Sequence, residues 1–240
     1  MKYSKHYLNY YVLKRMRGYN FCSSVLEVGC GTGETMKALS HSYDIKGIDI
    51  SDEAISACLR KGLSVQKKDL FSLNGKFNSI ICIDVLEHIK DDSAFARHLY
   101  GILTNSGKLF IMVPSGSMMK DDILCGHYRR YSKNSLMQLL EESNFKIEQV
   151  EMFGYPIIYY TRLIMNFMYK LKVGKEINLE AQTLKSSFVN PFDSTFCAKF
   201  YAAMVKIPLF AWLTIRLLSC QEWFIKGNRG FAVIAIAGKK

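Results

Sequence analysis

The chain has 240 residues, about half of them apolar, and a net charge of +11. This length is enough for one large α/β domain with a sizeable core. None of the seven cysteines forms a Cys-x-x-Cys pair, and no His/Cys cluster has zinc-site spacing. We therefore expect reduced thiols, a cytosolic location and no metal site. The first 18 residues lack the apolar centre of a signal peptide.

Between residues 24 and 153, apolar strand patterns alternate with helical patterns. This alternation predicts a mainly parallel sheet with helices on both faces and right-handed crossovers. Two serines, Ser51 and Ser132, precede predicted helices and are expected N-caps. In chain order, the predicted elements are strand 24–29, helix 35–40, strand 44–50, helix 52–61, strands 63–69 and 77–85, helix 91–103, strand 107–115, helix 133–143 and strand 145–153.

The pattern changes after residue 154. The following residues hold two long apolar and aromatic segments without strand–helix alternation, and a strand pattern returns at the end of the chain. The expected organisation is a basic N-terminal helical segment (1–23), an α/β core (24–154), a helical insertion (155–226) and a final strand of the core sheet (227–240).

The excess positive charge lies in two flanking segments. Residues 1–18 contain five basic and no acidic residues, and residues 155–226 contain nine basic and four acidic ones. Such segments favour an anionic partner: a membrane surface, an acidic substrate or RNA. Arg162, Lys199 and Arg216 interrupt the apolar runs, so neither run is expected to span a bilayer. The insertion is expected to be a lid, a membrane contact or a dimer face, and sedimentation with anionic vesicles tests the membrane contact.

The stretch VLEVGCGTGETM is an apolar run that ends in a glycine-rich turn. Dinucleotide-binding turns have the pattern G-x-G-x-x-G/A, because the last small residue lets the helix approach the pyrophosphate. Here Gly29, Gly31 and Gly33 give G-x-G-x-G, and Glu34 stands where the third small residue belongs. With Glu27 in the preceding strand, two carboxylates flank the turn. They argue against a phosphate and favour a cofactor with positive charge.

The next predicted strand ends near Asp49. A carboxylate at this position can accept hydrogen bonds from both hydroxyls of a ribose. The expected ligand is therefore a nucleoside that carries positive charge and no pyrophosphate. S-adenosyl-L-methionine has these features, since it joins an adenosine to a sulfonium and an ammonium group.

The motifs LEVGCGTG, GIDIS, KKDL and FNSIICIDVLEHI follow one another along the chain. In their order and spacing they resemble the motifs of class I S-adenosylmethionine-dependent methyltransferases, in particular the small-molecule branch that includes the quinone-biosynthesis methylases. The resemblance covers about residues 24–153 and the last strand. It implies a Rossmann-like seven-stranded α/β sheet of order 3-2-1-4-5-7-6 with strand 7 antiparallel. It also places the helical insertion between strands 6 and 7.

The resemblance further implies how the cofactor is bound. The glycine turn is expected under the methionine and the ribose, with Asp49 on the ribose hydroxyls. Asp69 is expected to accept a hydrogen bond from the adenine amino group, and Asp84 to lie near the methionine. The full set of expected cofactor-binding residues is Glu27, Gly29, Cys30, Gly31, Thr32, Gly33, Asp49, Ile50, Asp69, Leu70, Asp84 and Val85.

Methyl transfer depends mainly on holding the acceptor close to the sulfonium methyl group. A base is needed only when the acceptor must lose a proton, as a hydroxyl does. His88, after the fourth core strand, and His127, in the stretch GHYRRYS, are the candidate catalytic residues. Either histidine could instead be structural.

The segment around His127 also carries candidate substrate-binding residues. Guanidinium groups bind carboxylates and phosphates, so this stretch could hold an anionic acceptor. The alternative is that the segment pins its own loop, with one arginine paired to Asp121 or Asp122. The candidates are Tyr128, Arg129, Arg130 and Tyr131.

The expected function is methyl transfer from S-adenosyl-L-methionine to a small, apolar or lipid-linked acceptor, at oxygen first and at nitrogen next. Nucleic acid is less favoured, because the chain lacks both the Asn/Asp-Pro-Pro-aromatic motif of amino-methylating enzymes and a Pro-Cys pair. An RNA methyltransferase would bind RNA with a strong salt dependence. A scaffold without chemistry would bind cofactor and show no turnover. The protein is expected in the cytoplasm, and at a membrane surface if the insertion contacts lipid. Both a monomer and a homodimer are compatible with the sequence.

Overall fold

A computed structural model describes residues 2–118, 122–123, 125–160, 163, 216, 219 and 223–239. The helices that position the site are α1 (Lys2–Gly18), α2 (Glu34–Leu39), α3 (Asp52–Leu59), α4 (Asp92–Ile102) and α5 (Lys133–Glu142), with short 3₁₀ helices at Leu70–Ser72 and Leu86–His88. The strands are β1 (Ser24–Val28), β2 (Asp44–Asp49), β3 (Val65–Lys67), β4 (Phe77–Ile83), β5 (Leu103–Pro114), β6 (Phe145–Phe153) and β7 (Ala232–Lys239).

The strands form one seven-stranded sheet of order β3-β2-β1-β4-β5-β7-β6. Strand β7 is antiparallel to both of its neighbours, and the pairs from β3 to β5 are parallel. The predicted α/β class, strand order and orientation of β7 are therefore confirmed. Val28 at the end of β1 lies beside Ile48 of β2 and Cys82 of β4. The loops that follow these three strands consequently open at the same edge of the sheet.

Alternating side chains along the strands form two cores, one on each face of the sheet. On β4, Ile80 belongs to the core under α4 and α5, and Ile81 belongs to the core on the side of α1 and α2. Strand β7 puts Ala235 on the first face and Ile234 on the second. Both faces are apolar because central strands of an α/β sheet are buried on both sides.

Local capping explains where two of the helices begin. Ser51 Oγ accepts a hydrogen bond from Ala54 N at 3.2 Å and starts α3. Ser132 forms a capping box with Ser135 at the start of α5. These contacts satisfy backbone N–H groups that the first helical turn leaves without intrahelical partners. Both predicted N-caps are confirmed.

Helix α1, which contains the basic N-terminal segment, packs on one face of the sheet. Tyr11 and Met16 are fully buried in the core on this side. The Tyr11 hydroxyl donates to the Glu151 carboxylate of β6, and Arg15 Nε lies 2.9 Å from the same carboxylate. At least one of the five basic residues of this segment is thus neutralised inside the protein.

Two strands differ most in length from the sequence patterns. Strand β5 begins at Leu103, four residues before the predicted start, because Leu103 pairs with Phe77 ahead of a register shift. Strand β3 is limited to Val65–Lys67 at the sheet edge. The predicted insertion at 155–226 lies mostly outside the described residues. Within the described part of the chain, we find no helix with the length and apolarity needed to cross a bilayer.

Candidate active site

The glycine turn joins β1 to α2 and has backbone angles that suit glycine. Gly29, Gly31 and Gly33 have φ of 70°, 50° and 75°. A methyl group on Gly29 would lie 2.3 Å from Val85 Cγ2, and one on Gly33 would lie 2.3 Å from a carbon of Leu63. By contrast, a methyl group on Gly31 would meet nothing within 4 Å. The outer glycines therefore allow close packing, and the central one faces open space.

Asp49 holds the turn from the end of β2. Its Oδ2 accepts a hydrogen bond from Gly31 N at 2.8 Å, and its Oδ1 accepts one from Ser51 N at 2.9 Å. A carboxylate oxygen can accept a further bond, so both oxygens keep acceptor capacity for a ligand. The neighbouring Ile50 side chain is 70% exposed, as an apolar surface for an adenine ring would be.

Glu27 is the buried acid of this region. It is 3% exposed, and its Oε2 has no hydrogen-bond partner. Burial, reinforced by the charge of Asp49, raises the pKa of Glu27 to about 8, although a hydrogen bond from the backbone of Met36 opposes the shift. A buried carboxylate oxygen without a partner is unfavourable unless a ligand satisfies it. The cationic group of the predicted cofactor is such a ligand, so this part of the site fits it.

The side chains of Cys58 and Lys61 hold the backbone of the rest of the turn. Cys58 Sγ donates to the carbonyl of Gly31 at 3.2 Å. Burial raises the pKa of the Cys30 thiol, which keeps it uncharged next to the turn. Lys61 Nζ donates to Thr32 O at 2.6 Å and pairs with Glu34 at 2.5 Å. The charge of Glu34 is therefore neutralised by Lys61. Of the two acids that flank the turn, Glu27 is thus the better candidate for binding a cationic ligand.

The remaining expected cofactor residues lie on loops at the same edge. Asp69 accepts a hydrogen bond from Phe71 N at 2.7 Å and starts the 3₁₀ helix that buries Leu70. Asp84 follows β4 with φ of 53°, and its N–H donates to Met112 O at 3.1 Å. Val85 contacts the turn through Gly29, as described above. The structure thus gathers the expected cofactor set around one edge, and the individual contacts with a cofactor stay predictions.

His88 and His127 come together although 39 positions separate them. Their rings meet edge to face, with centroids 4.6 Å apart. Although His88 is exposed, partial desolvation of its ring, together with the neighbouring His127, lowers its pKa, and a hydrogen bond from the ring to the carbonyl of Gly126 opposes this shift. Nδ1 of His127 is 3.4 Å from Asp122 Oδ1 but lacks hydrogen-bond geometry.

Glu87 lies beside this histidine pair and was not among the residues predicted for the site. It is 1% exposed, and its Oε2 has no hydrogen-bond partner. Burial and the nearby charge of Asp84 raise the pKa of Glu87 well above its usual range. Its carbonyl accepts a hydrogen bond from Tyr128 N at 2.8 Å, which connects the two loops. The signal in the sequence was an acid next to His88 in an otherwise apolar turn.

The arginines of the GHYRRYS stretch have partners inside the protein. Arg130 makes two hydrogen bonds of 2.6 Å to the Asp122 carboxylate and a third, of 2.7 Å, to Ser115 O. The side chains of Arg130 and Asp122 are 3% and 1% exposed. These contacts are those of the loop-pinning alternative, with Asp122 as the partner.

The neighbouring residues follow the same pattern. Arg129 pairs with Asp92 at 2.5 Å and donates to Lys90 O at 2.7 Å. The Tyr131 hydroxyl is hydrogen-bonded to Asp92 at 2.8 Å, and its ring is buried. Tyr128, by contrast, is exposed. Of the four candidate substrate-binding residues, Tyr128 is therefore the most exposed, and its side chain has no ion-pair partner to hold.

Residues 10–150 match the family model of a methyltransferase domain. The match covers more than half of the chain. The chain belongs to this methyltransferase family. The prediction of an S-adenosylmethionine-dependent methyltransferase, and of S-adenosyl-L-methionine as its cofactor, is thereby confirmed at the level of the family.

Curated relatives include two enzymes of ubiquinone biosynthesis. The ubiquinone biosynthesis O-methyltransferase of Xanthomonas oryzae pv. oryzae is 32% identical over 98 residues, which are 36% of this chain and 41% of that protein. The mitochondrial ubiquinone biosynthesis O-methyltransferase of Saccharomyces cerevisiae is 31% identical over 101 residues, which are 37% of this chain and 32% of that protein. The chain thus spans about two fifths or less of these relatives.

Solved structures share the fold over a larger part of the chain. A SAM-dependent methyltransferase from Archaeoglobus fulgidus has a TM-score of 0.55 at 20% identity, covering 96% of this chain and 94% of that one. Phosphoethanolamine N-methyltransferase 2 from Haemonchus contortus, in complex with S-adenosyl-L-methionine, has a TM-score of 0.58 at 15% identity, covering 97% of this chain and 52% of that one. At such identities the similarity shows the fold.

Proposed function

We propose that the protein transfers the methyl group of S-adenosyl-L-methionine to an oxygen of a small, apolar or lipid-linked acceptor. One observation carries this proposal. The partner-less carboxylate oxygen of Glu27 lies beneath the glycine turn, and that turn packs directly against Val85, three residues before His88. A site for a cationic cofactor therefore adjoins a pair of imidazoles.

The cofactor would lie along the turn, with its ribose on the spare acceptor positions of Asp49. The cationic end would approach Glu27, which has an oxygen to offer it. In this arrangement the sulfonium supplies the methyl group, and the protein contributes position and charge. Holding the two reactants together removes much of the entropic barrier to transfer.

The imidazole pair is suited to an acceptor that must lose a proton. The ring of His88 donates to Gly126 O, so its other nitrogen can accept a hydrogen bond or a proton. Bound S-adenosyl-L-methionine would supply its methyl group to the acceptor oxygen, and the electrons of the broken S–C bond would stay on sulfur as a neutral thioether. The hydroxyl proton passes to an imidazole or to water. The relatives named ubiquinone biosynthesis O-methyltransferase support oxygen as the acceptor atom of a small molecule.

We also propose that Arg129, Arg130 and Tyr131 act as a scaffold for the acceptor side and that the exposed Tyr128 faces the acceptor. The buried bidentate pair of Arg130 with Asp122 supports this assignment. A lid, membrane or dimer role for residues 155–226 stays a prediction.

The activity is tested with the purified protein, S-adenosyl-L-methionine and hydroxylated aromatic acceptors with and without isoprenoid tails. Mass spectrometry should detect the methylated acceptor together with S-adenosylhomocysteine. Replacing His127 by alanine should lower kcat by about 10²–10⁴-fold, the usual contribution of a positioned acid or base. Affinity for the cofactor should stay nearly unchanged. The control is His41→Ala, because His41 is exposed in the loop before β2, on the opposite edge of the sheet.

If His127→Ala lowers the melting temperature and leaves turnover per folded molecule intact, His127 only supports its loop. If no acceptor in the panel gains a methyl group although the cofactor binds, oxygen methylation of this acceptor class is wrong.

A further inference from the structure

We propose that Cys30 and Cys58 form a reversible oxidation site, and that their disulfide displaces the turn that binds the cofactor. Cys30 lies in the glycine turn, and Cys58 lies on α3. Both thiols are free and buried, with 5% and 0% exposure. The two side chains are hydrogen-bonded to each other, so their sulfur atoms are already in contact. No spacing in the sequence indicates this pair, because the turn and α3 meet only in the folded chain.

The two thiols form a chain of hydrogen bonds that ends on the backbone of the turn. Cys30 donates to Cys58 Sγ, and Cys58 donates to the carbonyl oxygen of Gly31 at 3.2 Å. The N–H of Gly31 donates to Asp49 Oδ2 at 2.8 Å. Gly31 is therefore held through both its N–H and its carbonyl, one by a carboxylate and the other by a thiol. A change at either sulfur consequently reaches the part of the turn that faces open space.

Glycines shape the space around the two sulfur atoms. A methyl group on Gly33, in the turn, would lie 2.8 Å from Cys58 Sγ, and one on Gly47, in β2, would lie 2.9 Å from Cys30 Sγ. Both distances are too short for a carbon–sulfur contact, so the sulfur atoms fill the space that the glycines leave. Close packing of this kind transmits a displacement to the neighbouring atoms. A sulfur atom that moves must therefore move the backbone next to it.

Closing the disulfide would change this arrangement in two ways. A disulfide holds its sulfur atoms about 2.05 Å apart, well inside any hydrogen-bonded contact between thiols. Cys58 would also lose its S–H, and the carbonyl oxygen of Gly31 would lose its donor. A buried acceptor without a donor is unfavourable, so the turn would shift to find another partner. We expect the shifted turn to bind S-adenosyl-L-methionine more weakly.

The reaction balances with hydrogen peroxide as the oxidant. The thiolate of Cys58 attacks one peroxide oxygen, the O–O bond breaks, and the hydroxide that leaves takes up the thiol proton as water. The thiol of Cys30 then attacks the sulfur of the resulting sulfenic acid, forming the S–S bond and releasing a second water. Two thiols and one peroxide thus give one disulfide and two waters. A dithiol reductant reverses the reaction by thiol–disulfide exchange.

The surroundings of the pair favour Cys58 as the thiol that reacts first. Burial raises the pKa of both thiols. At Cys58, the hydrogen bond from Cys30 and the charge of Lys61 oppose this rise, whereas the neighbours of Cys30 add to it. Protonated thiols react slowly, so the oxidation should be slow at neutral pH and faster at higher pH.

The cofactor should protect the pair from oxidation. Binding and oxidation act on the same turn, so each must weaken the other by the same factor. If the disulfide form binds S-adenosyl-L-methionine tenfold more weakly, saturating cofactor makes the pair tenfold harder to oxidise. For this two-electron couple, tenfold corresponds to about 30 mV in reduction potential.

The test follows the cross-link and the cofactor affinity of the same sample, and it needs no acceptor. The full-length protein is treated with hydrogen peroxide, with and without S-adenosyl-L-methionine. Free thiols are then blocked under denaturing conditions, and mass spectrometry of peptides locates the disulfide. We expect a link between Cys30 and Cys58 that forms more slowly with cofactor. Calorimetry after removal of peroxide should show about tenfold weaker binding, the upper end of what one hydrogen bond contributes, and dithiothreitol should restore it.

The variant Cys58→Ser cannot form the disulfide and keeps a donor for the turn. Its cofactor affinity, whatever the starting value, should not change with peroxide. The matched control is Cys22→Ser, at an exposed position before β1, which should lose affinity on oxidation as wild type does. The site is wrong if wild type forms no link between Cys30 and Cys58, or if the linked protein binds cofactor as tightly as the reduced one. An equal loss of affinity in wild type and Cys58→Ser would also overturn the proposal.

Discussion

The two halves of the sheet's carboxyl edge differ in whether their buried polar groups have partners inside the protein. In the cofactor half, which follows β1 and β2, Glu27 keeps a buried oxygen without a partner and Gly31 faces open space. In the acceptor half, which follows β4 and β5, Arg130 and Asp122 form a buried bidentate ion pair. Buried polar groups are normally satisfied, so an unsatisfied one marks where a ligand belongs.

The comparison separates binding residues from scaffold residues. Charged side chains in the acceptor half look like substrate clamps in the sequence, but their ion pairs inside the protein favour the proposed role of holding the loop. Glu87 and the histidine pair are the exception there, since Glu87 combines deep burial with an unsatisfied oxygen. By this criterion, the proposed chemistry of the acceptor half belongs to the histidine pair and its neighbour Glu87, and the proposed role of the arginines is to hold the loop.

The largest effect should come from breaking the scaffold pair. Asp122→Ala removes the carboxylate from a guanidinium that is 3% exposed, and should lower the free energy of unfolding by about 3–5 kcal/mol, because it leaves a buried charge without a partner. Chemical denaturation measures this loss. The control is Asp52→Ala, which removes the carboxylate from an exposed pair with Lys67 and should cost at most about 1 kcal/mol. Equal losses in the two variants would show that Asp122 does not pin the loop.

The fold and the cofactor half could be predicted because their signals are local. The strand periodicity, the glycine turn and Asp49 after β2 are all read within short windows, and the strand order came from the family resemblance. Helix α1 shows the opposite case. Its Tyr11 and Arg15 reach Glu151, which is 140 positions from Tyr11. No pattern within the helix predicts a contact with Glu151. The basic residues of the helix therefore suggested an anionic partner outside the protein.

The acceptor half shows the same limit. Arg130 and Asp122 are eight residues apart in a stretch without regular periodicity, so their pairing depends on how the loop folds. Glu87 meets His127 only because the loops after β4 and β5 converge. The sequence offered the pairing of an arginine with Asp121 or Asp122 as one of two alternatives, and it gave no sign that Glu87 meets His127.

A smaller effect is expected in the cofactor half. Asp49→Ala should weaken binding of S-adenosyl-L-methionine by about 1.5–3 kcal/mol, the range for hydrogen bonds to a charged group. The variant also loses the bonds from Gly31 N and Ser51 N, so part of this loss reflects a less ordered turn. Isothermal calorimetry measures the affinity, and Asp44→Ala, exposed at the start of β2 on the opposite edge, is the matched control. Unchanged affinity would remove Asp49 from the cofactor site.

The smallest effect concerns the proton on Glu27. With a pKa of about 8 in the free protein, Glu27 is mostly protonated at pH 7. A cationic cofactor favours the ionised form, so binding at pH 7 should release about one proton. Ionising the acid one pH unit below its pKa costs about 1.4 kcal/mol, and the apparent affinity should therefore rise between pH 6 and pH 8. Calorimetry in buffers of different ionisation enthalpy measures the released proton.

The variant Glu27→Gln cannot ionise and should release no such proton. The free protein provides a second check on the sign. The folded-state pKa of Glu27 lies above the unfolded value of 4.5, so the folded state holds the proton more tightly and its stability should fall as the pH rises from about 4.5 to 8. Glu27→Gln should remove this part of the pH dependence. If wild type and variant release the same number of protons on binding the cofactor, Glu27 does not face its cationic end, and the unpaired oxygen in the cofactor half needs another ligand.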